Sequence, residues 1–469
     1  MRIQRVSIKE FKNLKGFDCI FSGSNTAVFI GSNGSGKSNL LEVITRAFSN
    51  AQNVACSKPL PLISPKERPD LQDCVIEYSV ADTNYTLKYN CDMGGLFLNA
   101  DPALNNPIRE KIEICCDDKI LPQSEVKKAL PDIVLIYYAG ETQRQKGLAE
   151  TTYDTLYERR LIRAKTSDLP GLRYLDCYDT GDLTLLLAAA SAYQGDYYRE
   201  LIDLLDCGEI VPKFSLILRK PPKGKGTADT YWGATGFVKH FLDDLRKGVS
   251  ATRDLDSQYF MFFNNSIELK KVSANEFDLF SKLKALKYYG YLDHVGIEFT
   301  KRDGAHFSAL RLSEGEKQLS LLLLLTAFTA KNEALYLFDE FDTYLHLNWQ
   351  KAFSQMLHAT DVAGQMVITT HSPATVAGMQ RKDVFIMHDG RCKNVPSETY
   401  NRSLDEIMEE HMLVSMRPAK YNDLVQEFRE SVMLGRKDLA EEALIKIREI
   451  VGESDPFFIT AKIALNRMS

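Results

Sequence analysis

The stretch VFIGSNGSGKSNLLEV, residues 28–43, constrains the fold more than any other part of the chain. Val28, Phe29 and Ile30 read as the end of a buried strand. Gly31 to Ser38 then spells G-x-x-x-x-G-K-S, and a helix opens at once with Asn39, Leu40 and Leu41. A polyphosphate site needs this order of strand, loop and helix. Gly34 and Gly36 let the backbone curl until its N–H groups point inward at an anion, Lys37 reaches the β- and γ-phosphates, and Ser38 offers a hydroxyl to Mg²⁺. The helix start adds its positive dipole end. The candidate nucleotide-binding run is therefore Gly31, Ser32, Asn33, Gly34, Ser35, Gly36, Lys37, Ser38 and Asn39, with ATP and Mg²⁺ as the implied ligands.

Composition narrows the setting. A chain of 469 residues can hold two or three domains, and a net charge of −5 argues against wholesale coating of nucleic acid while leaving local basic patches open. The nine cysteines contain no C-x-x-C pair, so neither zinc nor a disulfide framework is expected. The N-terminus MRIQRVSIKEF is polar and strand-like, and the longest apolar run, LSLLLLLTAF at 319–328, is too short to span a bilayer. A reduced, cytoplasmic protein without a membrane partner is expected.

Strands are predicted at 2–9, at about 17–22 and before the phosphate loop, with a helix over about 37–49. DCVIEYSV, NYTLKYN and KIEICCDD read as antiparallel strands, and DIVLIYYAG, 132–140, as a buried central strand. From about 150 to 270 the text turns to helices rich in Leu and Tyr, interrupted by FSLILRKPPKGKGTADT, which reads as a strand and a flexible basic loop; no sustained heptads occur and hence no long coiled coil. The strand–helix pattern resumes at 308 and runs to about 392.

The second half of the site lies in that later segment. ALYLFDEFD, 334–342, is a buried strand ending in Asp339 and Glu340: the first acid can hold Mg²⁺ and the second can orient or deprotonate water. Ahead of it, RLSEGEKQLSLLLLL places Ser313 and Gly315 at a helix N-terminus, an anion site by the same physics as the phosphate loop. MVITTHSPATV ends another strand at His371, which can bond a γ-phosphate. In this order the four motifs resemble the ABC-type ATPases of the SMC and RecF kind, over about the first 140 residues and 300–392. The resemblance implies an α/β ABC-type P-loop ATPase head. It also implies that Ser313 and Gly315 cap the ATP of a second protomer, so that two ATPs are sandwiched in a head-to-tail dimer. Between them stands Glu314, where SMC proteins often have Gly. A Mg²⁺-sensing glutamine is expected after the 132–140 strand, and Gln143 is the candidate, with Gln145 nearby.

The expected organisation is an ATPase lobe over 1–140, a compact, mainly helical insertion over 141–300, a second ATPase lobe over 301–395 and a helical C-terminal tail over 396–469. The insertion is too short for an SMC arm. The tail, in which Leu439, Ala443, Leu444, Ile447 and Ile450 share a helical face, is similar to the C-terminal region of the Septu anti-phage ATPase subunits, and this resemblance implies a separate HNH nuclease partner. About 75 residues follow the ATPase core, too few for a Toprim nuclease plus these helices. No His-Asn-His cluster and no G-x-S-x-G occurs, so any DNA cutting is expected from a partner. Arg219, Lys220, Lys223 and Lys225 in LRKPPKGKG read as a flexible basic loop suited to phosphates, without interleaved aromatics. Two functions stay open: a defence ATPase controlling a nuclease, and a RecF-like repair ATPase without one. A structural chromosome protein is disfavoured by the missing coiled coil.

Overall fold

The computed structural model describes residues 1–56, 62–63, 71–92, 108–139, 157, 159–169, 175–255, 258–359, 362–410, 412, 419–452, 455 and 457–466. The chain divides into two compact units, Met1–Asn401 and Arg402–Ser469.

In the first unit the strands that carry the motifs are almost wholly buried, and they share one seven-stranded sheet. Its order is Leu175–Tyr178, Ile133–Tyr138, Ala334–Asp339, Gln365–Thr369, Thr26–Ile30, Val384–His388 and Arg391–Asn394. All pairings are parallel except the last, an antiparallel hairpin. Strands covered on both faces read as unbroken apolar runs, which is why IVLIYY and ALYLF were legible as central strands. The register sets Asp339 opposite Thr369, and Thr369 opposite Phe29. The C-terminal ends of these strands thus fall in one row, where ligands of open parallel sheets bind.

A second, antiparallel sheet is built from Leu14–Ile20, Arg2–Phe11, Cys74–Val80, Thr83–Asp92 and Ile108–Cys116, with short strands at Leu62–Ile63 and Lys119–Ile120. The helix after the phosphate loop, Lys37–Ala55, packs into a core shared by both sheets: Leu40, Ile44, Phe48 and Ala51 meet Ile76, Tyr78 and Leu87 as well as Val134, Leu337 and Val367. Phe48 sits edge-on to Tyr78, with ring centroids 5.2 Å apart, and the Tyr78 hydroxyl donates to Ala129 O at 2.8 Å. The helix runs to Ala55, beyond the expected end near 49, because Ser49, Asn50 and Asn53 are buried in this core and do not break it.

The helix Glu314–Thr329 is buried on nearly every side, as its Leu run requires. It contacts the helices Leu183–Tyr193, Tyr197–Leu204 and Glu276–Tyr288, and Thr329 Oγ1 lies 2.8 Å from Tyr336 Oη on the acidic strand. The segment expected to be a mainly helical insertion is more mixed. It carries a four-stranded antiparallel sheet, in the order Ala251–Leu255, Gln258–Phe263, Phe214–Arg219 and Leu292–Gly296. Tyr259, Met261, Phe263, Leu216, Leu218 and Val295 are buried on its inner face. Phe214–Arg219 is the strand that FSLILR implied, whereas the other three were not read; in Gln258–Phe263 the apolar residues are mixed with Tyr and Phe in text that also satisfies a helical period.

The second unit contains the helices Leu404–Glu410, Ala419–Met433, Lys437–Val451 and Phe457–Asn466. Tyr421, Leu424, Val425, Phe428, Ala440, Ala443, Ile447, Phe458 and Ala461 form its own core. The shared face of Lys437–Val451 is therefore divided: Ala443 and Ile447 are spent inside this core, while Leu439 and Ile450 remain exposed. Ile447→Asp should place a carboxylate in that apolar centre at a cost of several kcal/mol. Limited proteolysis should then remove the tail rapidly, while ATP binding by Met1–Asn401 stays within about twofold of the parent.

Candidate functional site

The phosphate loop is shaped by backbone that only glycine accepts readily. Gly36 has φ 110°, and a Cβ there would come within 2.6 Å of Leu14 Cδ2. The loop is braced from the N-terminal sheet by a residue the sequence analysis did not single out. Asn13, in the turn between Arg2–Phe11 and Leu14–Ile20, donates from Nδ2 to Gly34 O at 2.6 Å and accepts from Asn39 Nδ2 at 2.7 Å. Next to it, Lys12 pairs with Glu42 of the following helix at 2.5 Å. No spacing rule marks an Asn in a hairpin turn as part of a loop 20 residues away, so the sequence held no signal for it.

Lys37, Ser38, Asp339, Glu340 and His371 converge. The Lys37 ammonium donates to Gly31 O at 3.0 Å and Ser32 O at 3.3 Å, and lies 2.8 Å from His371 Nε2. Ser38 Oγ donates to Asp339 Oδ1 at 3.1 Å, and Thr369 Oγ1 donates to the same oxygen. Glu340 turns off the end of its strand in the left-handed region, φ 50°, with its N–H bonded to both Thr369 O and Thr369 Oγ1 at 3.1 Å. Non-glycine residues hold that conformation at a cost of about 1–3 kcal/mol, and such strain collects at functional positions. The turn brings Glu340 Oε1 to 3.9 Å from His371 Nε2.

Burial sets the electrostatics. It pushes the Asp339 carboxyl above its ordinary value, against the hydrogen bonds from Thr369 and Ser38. It pulls the Lys37 ammonium below its ordinary value, against the attraction of Glu340 and Asp339. His371 is lowered by burial and by the Lys37 charge, with Glu340 opposing, so its ring stays neutral and accepts from Lys37. A buried carboxyl raised in this way, with a hydroxyl oxygen 3.1 Å from it, fits the hard oxygen donor set that Mg²⁺ takes. Ser38 and Asp339 are accordingly the residues that would hold it.

A further network fixes the two turns. Asp342 accepts from Thr370 Oγ1 and, at 2.7 Å, from Thr375 Oγ1, and its backbone O accepts from Gln350 Nε2 at 3.2 Å. Asp342 and Thr370 were visible in the motif text but carried no role, since hydroxyl–carboxylate pairing between two segments leaves no periodic trace.

Ser313 and Gly315 do not join the Lys37 cluster. Ser313 caps its helix reciprocally with Glu316, accepting from Glu316 N at 3.3 Å while Glu316 Oε2 accepts from Ser313 N at 2.7 Å. Gly315 lies against Trp349, whose Cζ3 would be 2.8 Å from a Cβ, so any side chain would push the helix start off the Tyr344–Trp349 turn. Gln143 and Gln145 lie outside the described residues. The basic loop is pinned rather than flexible: Gly224 N donates to Pro221 O at 2.9 Å and Lys225 N to Trp232 O at 2.8 Å, with Tyr231 and Trp232 buried beneath. Arg219 faces Asp293 at 3.6 Å, and Lys220, Lys223 and Lys225 are exposed.

The RecF/RecN/SMC N terminal domain family matches residues 2–394. The chain belongs to that family. It is an α/β ATPase head of the SMC/RecF-like class. It is similar to the Retron Ec83 probable ATPase of Escherichia coli, 23% identical over 220 residues, covering 44% of this chain and 39% of that protein. It is also similar to the Retron Vc95 probable ATPase of Vibrio cholerae serotype O1 biovar El Tor, 22% identical over 414 residues, covering 83% of this chain and 74% of that protein. The chain thus spans well under half the length of the first of these relatives. Among solved structures it resembles the SMC head domain from Thermotoga maritima at 14% identity and TM-score 0.38, covering 85% of this chain and all of that one. Among the described residues no helix is long and apolar enough to cross a membrane.

Two measurements probe this geometry. Asn13→Ala removes the brace without touching a motif residue, and ATP affinity in equilibrium binding should fall about tenfold, the worth of one or two hydrogen bonds to the loop. His371, held neutral in the fold, refuses a proton that the unfolded chain takes up near pH 6.5. Its contribution is present above that pH and is lost as pH falls through the lower folded value, so His371→Asn should flatten the fall in denaturation midpoint below pH 6.5.

Proposed function

We propose that this chain is the ATP-binding and ATP-hydrolysing subunit of an anti-phage defence complex, in which its ATP state controls a partner HNH nuclease acting on DNA. The observation that carries the ATPase part is the convergence of Lys37, Ser38, Asp339, Glu340 and His371, drawn from three adjacent parallel strands, on one side of the phosphate loop. Lys37 binds the terminal phosphates. Ser38 and Asp339 would hold Mg²⁺, which would neutralise phosphate charge. Glu340 orients and deprotonates the attacking water, and His371 hydrogen-bonds the γ-phosphate. Gln143 is proposed as a further Mg²⁺-sensing group.

Ser313 and Gly315 are proposed to act on the ATP of a second copy. Their helix start, already capped by Glu316, offers amides to an anion, and no hydrogen bond ties them to their own phosphate loop among the described residues. The defence setting is supported by the tail's similarity to Septu ATPase subunits and by two relatives named as retron ATPases. A RecF-like repair ATPase without a nuclease is the second reading, favoured only by the shared family.

One set of variants tests the scheme. Glu340→Gln should bind ATP but hydrolyse it at least about 100-fold more slowly, since a general base contributes roughly that much. Ser313→Arg and Lys37→Ala should each be inactive alone, whereas mixing them should restore one good interface per heterodimer. Hydrolysis unchanged in Glu340→Gln, or none recovered in verified heterodimers, would remove the corresponding role. In the same preparations the chain alone should leave DNA uncut. Cleavage should need a co-purified HNH protein and respond to Glu340→Gln.

A further inference from the structure

Away from the ATPase motifs, the four-stranded sheet has an outer face on which Arg253 and Phe262 are exposed, Phe260 and His294 half-buried, and Ile217 between them buried. Cross-strand partners put side chains on the same face. One row runs Arg253–Phe260–Ile217–His294, and the next runs Ala251–Phe262–Ser215–Gly296. Phe260 and Phe262 are neighbours on this face, with ring centroids 6.1 Å apart and planes within 11° of parallel. Phe262 is 37% exposed and Phe260 is half-buried, whereas the intervening Met261 is fully buried on the other side. Burying both rings inward would have removed apolar area from water, so their outward placement leaves a favourable term unused.

The charge around the rings is mostly positive. Arg253 stands directly across from Phe260, and Arg219 pairs across from Gln258 on the same face. The strand Phe214–Arg219 leads straight into the exposed Lys220, Lys223 and Lys225 of the pinned loop. The acid among them, Asp293, is met by Arg219 at 3.6 Å and His294 at 2.9 Å. The row beyond Phe262 is of small residues, Ser215 directly across from it and Gly296 across from Ser215.

We propose that this sheet face is a binding platform for single-stranded nucleic acid, with unpaired bases stacked on Phe260 and Phe262 and phosphates met by Arg253, Arg219 and the Lys220–Lys225 loop. Stacked, parallel rings with cations at their margins are what unpaired bases and a polyanionic backbone require together. A duplex keeps its base faces to itself and could use only the cations. A protein partner would use the apolar surface but would not need the flanking positive charge. The proposal stands apart from the ATPase site and from the nuclease reading, so its failure leaves both untouched.

The test is fluorescence anisotropy of the purified full chain with labelled oligo(dT) and oligo(U) of roughly 20 nucleotides and with a duplex of equal length, at fixed salt. The single strands should bind more tightly than the duplex, and the ratio between oligo(dT) and oligo(U) identifies the preferred backbone. Phe260→Ala and Phe262→Ala should each weaken single-strand binding about tenfold or more. Phe262→Leu keeps the apolar bulk and removes the ring face, so it should weaken binding nearly as much while leaving the melting curve unchanged. Arg253→Glu should lower both affinity and its dependence on salt. ATP hydrolysis without nucleic acid should be unaltered in all four. The proposal is overturned if the single strands fail to bind at roughly 10 µM, where even non-specific contacts are measurable. It is equally overturned if the duplex binds as well as the single strands, if Phe262→Leu binds them as well as the parent, or if the phenylalanine variants lose only a protein partner.

Discussion

The carboxylate of Asp339, taken out of water at the end of a central strand, is the constraint around which the ATPase unit is arranged. A buried carboxyl without donors costs several kcal/mol. Here the donors are Ser38 and Thr369, which come from segments some 300 and 30 residues away in sequence. Both can be present only if the strands Thr26–Ile30, Ala334–Asp339 and Gln365–Thr369 lie parallel and in the observed register. A one-residue slip would turn Thr369 away from Asp339 and invert the faces of a strand buried on both sides. The same register delivers Glu340 and His371 to one edge, so the chemistry and the packing are specified by the same pairings.

What the sequence made legible, and what it did not, follows from the range of each interaction. The phosphate loop, the acidic strand end and the histidine strand end are local patterns of strand followed by turn, and all of them appear where their residues implied. The parallel sheet itself could be read from its unbroken apolar runs. Asn13 could not be read, because its role comes from a hairpin folding back across the loop. Nor could Asp342, whose hydroxyl partners arrive from the turn after another strand. In the insertion, the strand Phe214–Arg219 was legible in FSLILR, whereas Gln258–Phe263 was hidden because one face is buried and the other carries Phe260 and Phe262. A strand apolar on both faces loses the alternation that would have announced it. The tail shows the opposite error. Its amphipathic face was plain in the text, but the text could not say whether that face met a partner or the neighbouring helices, and Ala443 and Ile447 meet the neighbouring helices.

The signature helix links the two parts of the first unit. Its N-terminus carries Ser313 and Gly315, and its apolar body lies against helices of the insertion on one side and reaches Tyr336 of the acidic strand on the other. A helix polar at one end and apolar all round elsewhere has to be placed by its surroundings, because its own periodicity selects no face. The position of the Ser313 end is thus set by the packing of the insertion, which gives those residues a structural reason to be there besides any surface they present.

The brace at Asn13 has a mechanical consequence. The turn that carries it joins the first two strands of the antiparallel sheet, and the Lys12–Glu42 pair ties the same turn to the helix behind the loop. The phosphate loop therefore lies between two sheets, joined to one through its own strand and to the other through the Asn13 hydrogen bonds and the close approach of Leu14 to Gly36. The outer strand of that hairpin, Leu14–Ile20, lies in turn against Arg391–Asn394 at the edge of the parallel sheet, with Cys19 Sγ 2.8 Å from Cys392 Sγ. The N-terminal hairpin thus clasps the glycine turn at one end and the edge of the parallel sheet along its outer strand, so the shape of the loop is fixed by contacts with both sheets.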